Sequence, residues 1–389
     1  MVKTRVLILI CCCIAFAGCG LLSRTEQAKP DVLQLATGRL GDDVSLVQAG
    51  DYLVAVYSDW ETTGLYAVQI PVSDRLPSVH PAPTMIDRID LAPPLSSSFG
   101  DHAAAAQGDA VTILYLAHSA EDKMVLKVAT GGPGAEAWAV DAVEPPGNPL
   151  AVIPASRDRL DLFWAAGLLL HLSYPGAGQA DSLFSPLTSA RRASPFGQAD
   201  RNGMTVFDSI SHALLVFRWN GYAYDRVKID GAGPVQSSLL LADGRIAVLS
   251  WEADTHRLEL LIVGRYNSLE QRTLVTMCEG TNAVALLPAA GSGAGDASAG
   301  GQAGRIGSRG DGLLFLYDDA RPVGGGKLLH ALSLLSPGPG LGPSARRYHR
   351  LILQSGTEPI TGFSALEVAD ALYVLVHQDG LKLLRLKLP

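Results

Sequence analysis

Charged and aromatic residues are both scarce in this sequence. Of its 389 residues, 18% are charged and 6% are aromatic, whereas 48% are hydrophobic. This composition excludes an intrinsically disordered chain, which lacks the apolar residues needed to form a core. The formal net charge of −7 argues against a general nucleic-acid binder, because phosphate recognition requires a basic surface.

Long stretches with helical periodicity are also lacking. Glycine (41 residues) and proline (23 residues) are abundant instead, and both destabilise the interior of a helix. A mostly helical bundle is therefore disfavoured. Short apolar runs separated by turn-forming residues predict an all-β protein.

The first 19 residues have the pattern of a bacterial export signal. Two basic residues precede an apolar run that ends at Gly18. The run is too short to span a bilayer, which takes about 20 residues. It closes with Phe16-Ala17-Gly18-Cys19, which resembles the lipobox of bacterial lipoproteins. The resemblance implies cleavage before Cys19 and attachment of lipid, including palmitate, to that cysteine. The alternative is an ordinary signal peptide.

The cysteines of the sequence do not provide a pair for a disulfide in the exported protein. Cys11, Cys12 and Cys13 lie in the apolar run, so Cys278 is the only cysteine beyond the lipobox. Cys278 is predicted to be a small buried side chain, and no disulfide is expected.

Residues 19–30 are polar and predict a flexible tether. Gly20 replaces the Asp that retains many enterobacterial lipoproteins at the inner membrane, which favours an outer membrane if the host has one.

An internal repeat follows the tether. Seven short apolar runs recur with a mean spacing of about 53 residues, and most are followed by a turn and a second apolar run. The seven runs are Tyr52–Tyr57, Val111–Leu116, Leu160–Trp164, Met204–Phe207, Ile246–Trp251, Leu313–Tyr317 and Leu372–Val376. Periods of this length with several strands each are typical of β-propeller blades.

These runs are almost continuously apolar, rather than alternating. Continuous runs indicate strands that are buried on both faces, as neighbouring blades would bury them. The sequence therefore resembles β-propellers as an architecture, most simply with seven four-stranded blades, although six or eight are alternatives. The last repeat supplies three strands, so Val32–Ala36 is predicted to add the fourth and close the ring. The predicted organisation is a signal peptide (1–18), the tether (19–30) and one propeller domain (31–389).

Motifs for metal binding, nucleotide binding or nucleophilic catalysis are not found, and no cofactor is predicted. Acidic and other polar residues instead cluster near the predicted turns after the apolar strands. They define a possible binding rim formed by Asp59, Trp60, Glu61, His118, Asp122, Asp254, Asp318, Asp319, His377 and Asp379. The rim suits a basic partner or weak calcium binding. The alternative is that Asp is simply a good turn former.

Two further motifs are short. Arg309-Gly310-Asp311 resembles the tripeptide of integrin-binding adhesins, and the basic segment Arg346–Arg350 is either a strand entry or a contact for phosphate or glycan.

Two functions remain open on sequence pattern alone. The first is a membrane-anchored, non-enzymatic binding or scaffolding propeller of the cell envelope, whose partner is another envelope protein or a glycan. Its plan resembles the propeller lipoprotein of the barrel-assembly machinery. The second is an enzyme acting on glycans or other envelope polymers, which would require carboxylates that converge near the central channel.

Overall fold

The structure is a computed structural model in which almost all of the described residues lie in strands or short turns. The described ranges are 25–27, 29–89, 101–119, 121, 123–135, 137–156, 158–176, 179–187, 193–198, 201–241, 243–252, 255–264, 268–277, 284–288, 313–324, 327–337, 348–368 and 371–387. Within these ranges, no helix has the length and hydrophobicity needed to cross a bilayer.

The first four sheets along the chain each contain four consecutive antiparallel strands. Sheet 1 has β3 (Leu40–Ala49), β4 (Tyr52–Asp59), β5 (Gly64–Pro71) and β6 (Thr84–Arg88). Sheet 2 has β7 (His102–Gln107), β8 (Ala110–His118), β9 (Met124–Gly131) and β10 (Ala139–Val143). Sheet 3 has β11 (Asn148–Ser156), β12 (Arg159–Ala165), β13 (Gly167–Tyr174) and β14 (Asp181–Leu187). Sheet 4 has β15 (Ala193–Gln198), β16 (Arg201–Asp208), β17 (Ala213–Trp219) and β18 (Tyr224–Asp230).

Sheet 5 follows the same plan, whereas sheets 6 and 7 each also include an N-terminal strand. Sheet 5 has β19 (Val235–Leu240), β20 (Ile246–Glu252), β21 (Arg257–Val263) and β22 (Leu269–Met277). Sheet 6 has β23 (Val284–Pro288), β24 (Leu313–Gly324), β25 (Lys327–Pro337) and β26 (Tyr348–Gly356), with β1 (Thr25–Gln27) added beside β26. Sheet 7 has β27 (Gly362–Val368), β28 (Ala371–His377) and β29 (Leu381–Lys387), with β2 (Asp31–Ala36) beside β29.

Each predicted apolar run lies in the second strand of a sheet, and β8 shows why these runs do not alternate. Ile113 and Tyr115 pack in one apolar cluster with Val54 and Val56 of sheet 1. Leu114, on the other face of β8, packs in a different cluster with residues of sheet 3, including Leu162. Both faces of the strand are therefore covered by neighbouring sheets, so both faces are apolar.

The sheets follow one another around a common centre. The first strand of each sheet contacts the first strand of the next in the order β3, β7, β11, β15, β19, β23 and β27, and β27 contacts β3. This radial arrangement of antiparallel sheets is a β-propeller with four-stranded blades, as predicted.

One part of the prediction is wrong. It gives seven four-stranded blades, whereas six of the sheets have four strands and sheet 6 has five. The additional strand is β1, which pairs in parallel with β26, placing Thr25 beside Arg350 and Gln27 beside Ile352. These three residues belong to the segment that the sequence predicts to be a flexible tether.

The predicted outer strand near residue 32 also lies in a sheet. β2 pairs in antiparallel orientation with β29, which places Leu33 opposite Leu383. Both leucines are buried in a cluster that also contains Leu53 and Leu375. Leu33 and Leu383, which are far apart in the chain, therefore share one apolar core with residues of sheets 1 and 7.

Candidate functional site

The antiparallel order of each sheet gives the propeller two distinct ends. Turns between second and third strands lie at one end, which we call the hairpin face. Turns between first and second strands, and between third and fourth strands, lie at the other end, which we call the cleft face. Because blades repeat radially, each kind of turn recurs on its own face.

Several predicted rim residues lie on the hairpin face. Asp59 ends β4, and its Oδ1 accepts hydrogen bonds from the backbone N–H groups of Glu61 (2.8 Å) and Thr62 (3.4 Å). This is the usual turn-stabilising role of an aspartate. The Arg39 guanidinium lies 5.6 Å from the centre of the Trp60 ring, within the range of a cation–π contact. Asp59 therefore has a structural role in addition to its predicted place on the rim.

The two rim histidines lie at equivalent strand ends, at which β8 and β28 enter their turns. His118 is buried, and its backbone N–H donates to the carbonyl of Ile89 at 2.6 Å. The His377 Nδ1 lies 2.8 Å from the Thr361 hydroxyl. Burial lowers the pKa of His377, although nearby Asp42 opposes this effect. His118 is therefore buried and His377 half-buried, so both offer only part of their surface to a partner.

Asp379 lies at the tip of the β28–β29 hairpin and is exposed. Its backbone has a φ of 53°, in the left-handed region that aspartate tolerates better than most residues. With Asp59 and Glu61, it adds to the acidic character of the hairpin face.

The prediction is wrong about the location of Asp318 and Asp319. They lie within β24, opposite Leu332 and Ala331, and not in a turn. The hairpin of sheet 6 is long because β24 has twelve residues, so these aspartates are followed by further strand. Asp318 is buried, and its Oδ2 lies 2.8 Å from the His330 Nδ1. It makes an internal contact with His330 and does not contribute to an exposed rim.

Some predicted features fall outside the described residues. They are Cys19, Asp122, Asp254, Cys278, the Arg309–Asp311 tripeptide, and Arg346 and Arg347 of the basic segment.

A polar cluster that the sequence-based prediction missed lies at the seam between sheets 3 and 4. We call it the Asp161 cluster, and it consists of Asp161, His171, Ser173 and Tyr224. Asp161 Oδ2 accepts from the Tyr224 hydroxyl at 2.6 Å, and Oδ1 accepts from the Ser173 hydroxyl at 3.0 Å. The His171 Nε2 lies 3.1 Å from Asp161 Oδ1. Asp161 is completely buried, so these contacts replace the water that a carboxylate requires.

The electrostatics of the Asp161 cluster follow from this burial. Desolvation alone would raise the pKa of Asp161, but the interactions with His171 and Tyr224 outweigh it and lower that pKa. Burial and the Asp161 carboxylate raise the pKa of Tyr224. The cluster therefore holds a carboxylate and a neutral phenol in one hydrogen bond. Phe163 packs against both the His171 ring and the Tyr224 ring, with centroids 5.0 and 5.2 Å away.

The sequence did contain a signal for this cluster. Asp161 interrupts the apolar segment Leu160–Trp164, and His171 interrupts the run of leucines in β13. A charged residue in a strand that is buried on both faces requires a partner. Its partner Tyr224 is 63 residues away in the chain, and one sequence does not reveal that pairing.

A cleft opens on the cleft face, next to the Asp161 cluster. Its volume is about 290 Å³, and it is lined by Phe196, Arg201, Arg218, Trp219, Leu240, Asp243 and Gly244. Sheet 4 supplies the two arginines and both aromatic residues, and sheet 5 supplies the opposite wall. Trp219 links the two sites, because its ring lies 5.1 Å from the ring of Tyr224.

The wall from sheet 5 is a tight turn between β19 and β20. The Gly244 N–H donates to the carbonyl of Leu241 at 2.9 Å, and the Leu241 N–H donates to the carbonyl of Arg245 at 2.8 Å. Gly244 has a φ of +83°, a conformation that glycine adopts without steric penalty. The turn places Asp243 beside Arg245, whose Nε lies 2.6 Å from the Asp243 Oδ2.

No group of three or more His, Cys, Asp or Glu side chains suited to a metal ion is found in the part of the chain that the structure describes. Two places at which polar groups converge are the Asp161 cluster, which is packed against aromatic rings, and the cleft, which contains cationic and aromatic side chains.

Sequence comparisons do not place the chain in a family, because no family model matches it and no curated protein matches it. Solved structures do match in fold. YCF48 from Cyanidioschyzon merolae has a TM-score of 0.53 and 13% identity, with 92% of this chain and 98% of that chain covered. A structure of YCF48 bound to D1 peptide has a TM-score of 0.50 and 11% identity, with 95% and 99% covered. Virginiamycin B lyase from Staphylococcus aureus has a TM-score of 0.50 and 10% identity, with 93% and 99% covered. At such low identities the similarity shows the β-propeller fold alone.

Proposed function

We propose that this protein is a non-enzymatic binding or scaffolding propeller of a bacterial cell envelope, anchored by lipid at Cys19. The succession of basic, apolar and lipobox segments at the N-terminus supports the anchor. The single observation that carries the binding role is that buried and half-buried polar groups join neighbouring sheets at three of the described seams. This use of polar groups favours a rigid support for surface loops over an open catalytic centre.

Three seams illustrate this use. Between sheets 1 and 2, Asp87 Oδ2 accepts hydrogen bonds from the Tyr115 hydroxyl and the Lys127 ammonium, both at 2.7 Å. Between sheets 3 and 4, Asp161 accepts from Tyr224. Between sheets 4 and 5, the buried hydroxyls of Thr205 and Ser238 share a hydrogen bond. Hydrogen bonds to charged groups are among the stronger ones in proteins, so the contacts of Asp87 and Asp161 in particular stiffen the body.

We further infer that all seven sheets are blades of one ring and that β2 closes it. The pairing of β2 with β29 and the contact between β27 and β3 support this inference. A closed ring leaves no open seam between the first and last sheets, and it holds both faces in a fixed relation.

The partner class follows from the charge of the hairpin face. Exposed Glu61 and Asp379, with half-buried Asp59, favour a basic envelope protein. A glycan is the other partner considered, because sugars also bind carboxylates through hydrogen bonds. The structure of YCF48 bound to D1 peptide supports the use of this architecture for polypeptide binding, although it does not identify a partner here.

The anchor is tested by a Cys19→Ala variant expressed in a bacterial host. We expect wild-type protein to incorporate an alkynyl palmitate analogue and to remain in the membrane fraction, whereas the variant does neither. A Cys278→Ala variant is the matched control, and it retains both properties. Equal labelling of wild type and Cys19→Ala would refute lipidation at this residue.

The docking face is tested by photo-crosslinking in cells that natively produce the protein. A crosslinking residue replaces either Glu61 on the hairpin face or Tyr222, which is 94% exposed on the cleft face. We expect reproducible capture of one envelope protein from position 61, and its loss when Asp59 and Asp379 are changed to Lys. Capture from position 222 only would exclude the acidic rim as the docking face.

A further inference from the structure

We infer that the cleft between sheets 4 and 5 binds a small organic carboxylate that has a flat apolar body. The inference depends on neither the lipid anchor nor a protein partner, because every residue that carries it lines the cleft or contacts a lining residue. Four properties of the cleft support it: its positive charge, its aromatic wall, its apolar floor and its size.

Cationic groups outnumber acidic groups in the cleft. Asp243 is the acidic residue among the lining side chains, and it is paired with Arg245 of its own turn. Its Oδ2 lies 2.6 Å from the Arg245 Nε, and its Oδ1 accepts from the Arg245 backbone N–H at 3.0 Å. Because Arg201 and Arg218 also line the cleft, its net field is positive and attracts an anion.

Arg218 is the more enclosed of the two lining arginines. It is half-buried, whereas Arg201 is exposed, and burial lowers the pKa of its guanidinium. One contact of Arg218 is a long hydrogen bond of 3.5 Å to the Gly264 carbonyl, which is a neutral acceptor. A planar guanidinium on the wall of a cleft suits a carboxylate, because two parallel N–H groups match two carboxylate oxygens.

The rest of the lining suits an apolar group. Phe196 and Leu240 contribute hydrocarbon surface, and Trp219 contributes a broad ring. The Arg159 guanidinium lies 5.6 Å from the centre of that ring, and Tyr224 supports it from the Asp161 cluster. A supported indole is a rigid wall against which a flat group can stack.

Size and charge together narrow the ligand class. A cleft of about 290 Å³ lies at the small end of the range for small-molecule sites. Inorganic phosphate would leave the apolar lining without a contact, and a second negative charge would lie near Asp243. A monocarboxylate with one aromatic ring contacts the apolar lining and carries a single negative charge.

Calorimetric titration of the purified full chain with phenylacetate tests the inference, with phenylacetamide as the uncharged match. We expect phenylacetate to bind at least about tenfold more tightly, since one charge-assisted contact is worth at least about 1.4 kcal/mol. Arg201→Gln and Arg218→Gln are each expected to weaken phenylacetate binding by about tenfold. Arg226→Gln is the matched control, because Arg226 is exposed and packs on Phe184 outside the cleft.

Two outcomes would overturn the inference. They are equal affinity for phenylacetate and phenylacetamide, including no binding of either, and an equal loss of affinity in Arg226→Gln and Arg201→Gln. Arg201 is exposed, so its variant remains informative even if Arg218→Gln fails to fold.

Titration with N-acetylphenylalanine is a separate experiment. Tighter binding than phenylacetate assigns the site to a polypeptide terminus, and weaker binding assigns it to a free acid. Neither titration uses the membrane or a partner, so this test can fail while the crosslinking experiment succeeds.

Discussion

Replacement of Asp161 by Asn is the most direct test of the polar seam between sheets 3 and 4. The variant keeps the shape of the side chain but replaces one carboxylate oxygen with an amide N–H₂ group. The Tyr224 hydroxyl and the Ser173 hydroxyl donate to different oxygens of Asp161. In either orientation of the amide, its N–H₂ group therefore faces the hydroxyl of Tyr224 or of Ser173, which also donates.

The expected magnitude follows from the hydrogen bonds that the amide is unable to accept. A hydrogen bond to a charged group contributes about 1.5–3 kcal/mol, and a buried group left without a partner costs about 1–3 kcal/mol. At least one such bond is removed at a fully buried position. We therefore expect Asp161→Asn to lower the free energy of unfolding by about 3 kcal/mol.

Equilibrium unfolding in urea, followed by tryptophan fluorescence, measures this change. Asp230→Asn is the control, because the Asp230 side chain is 77% exposed and pairs with Lys228 at the surface. That control should change stability by no more than about 0.5 kcal/mol. If Asp161→Asn unfolds at the same urea concentration as the control, the carboxylate does not stabilise the seam.

The pH dependence provides a second measurement on the same pair of proteins. The pKa of Asp161 is lowered in the folded state, so the unfolded state binds its proton more readily. The stabilisation is fully present above the ordinary aspartate pKa of about 3.9 and is lost as the pH falls through the folded value. The difference in stability between wild type and Asp161→Asn should therefore narrow below about pH 4.

Three further predictions concern other parts of the fold. Burial lowers the pKa of His377, so acidification below about pH 6.5 should destabilise wild type more than His377→Gln in thermal unfolding at several pH values; parallel curves would contradict this. Gly244→Ala places a Cβ at a positive φ and should cost about 1–2 kcal/mol in urea unfolding; a change under about 0.5 kcal/mol would contradict this. Leu383→Ala removes a fully buried side chain opposite Leu33 and should cost about 2–5 kcal/mol; a change under about 1 kcal/mol would show that the joint between β2 and β29 is loosely packed.

The blades were predictable because their signal is local and repeated. A second strand such as β8 is covered on both faces, so a run of apolar residues is required at each repeat. The position of Asp318 was not predictable by the same reasoning. An aspartate after an apolar run usually marks a turn, but here β24 continues to Gly324, and the His330 ring on the paired strand contacts the buried carboxylate.

The candidate sites were hidden for a different reason. Asp161 was visible as a charge within an apolar strand, but its principal partner lies on another sheet. The cleft is assembled from four separate segments, which contain Phe196, Arg201, Trp219 and Gly244. None of these residues is unusual in its own segment, and the curvature of the propeller alone brings them together. Contacts of this kind depend on tertiary packing and leave no periodic trace in one sequence.

The pairing of β2 with β29 has a consequence for the order in which the chain can fold. Asp31 lies opposite Arg385, so the first strand of this joint is synthesised long before its partner. Until the last repeat emerges from the ribosome, β2 has no neighbouring strand, because the other three strands of sheet 7 have not yet been made. Contacts between such distant residues form slowly, and unpaired strand edges promote aggregation. A chain that stops short of residue 381 would therefore expose two strand edges, and proteases or chaperones that recognise such edges would distinguish it from the finished protein.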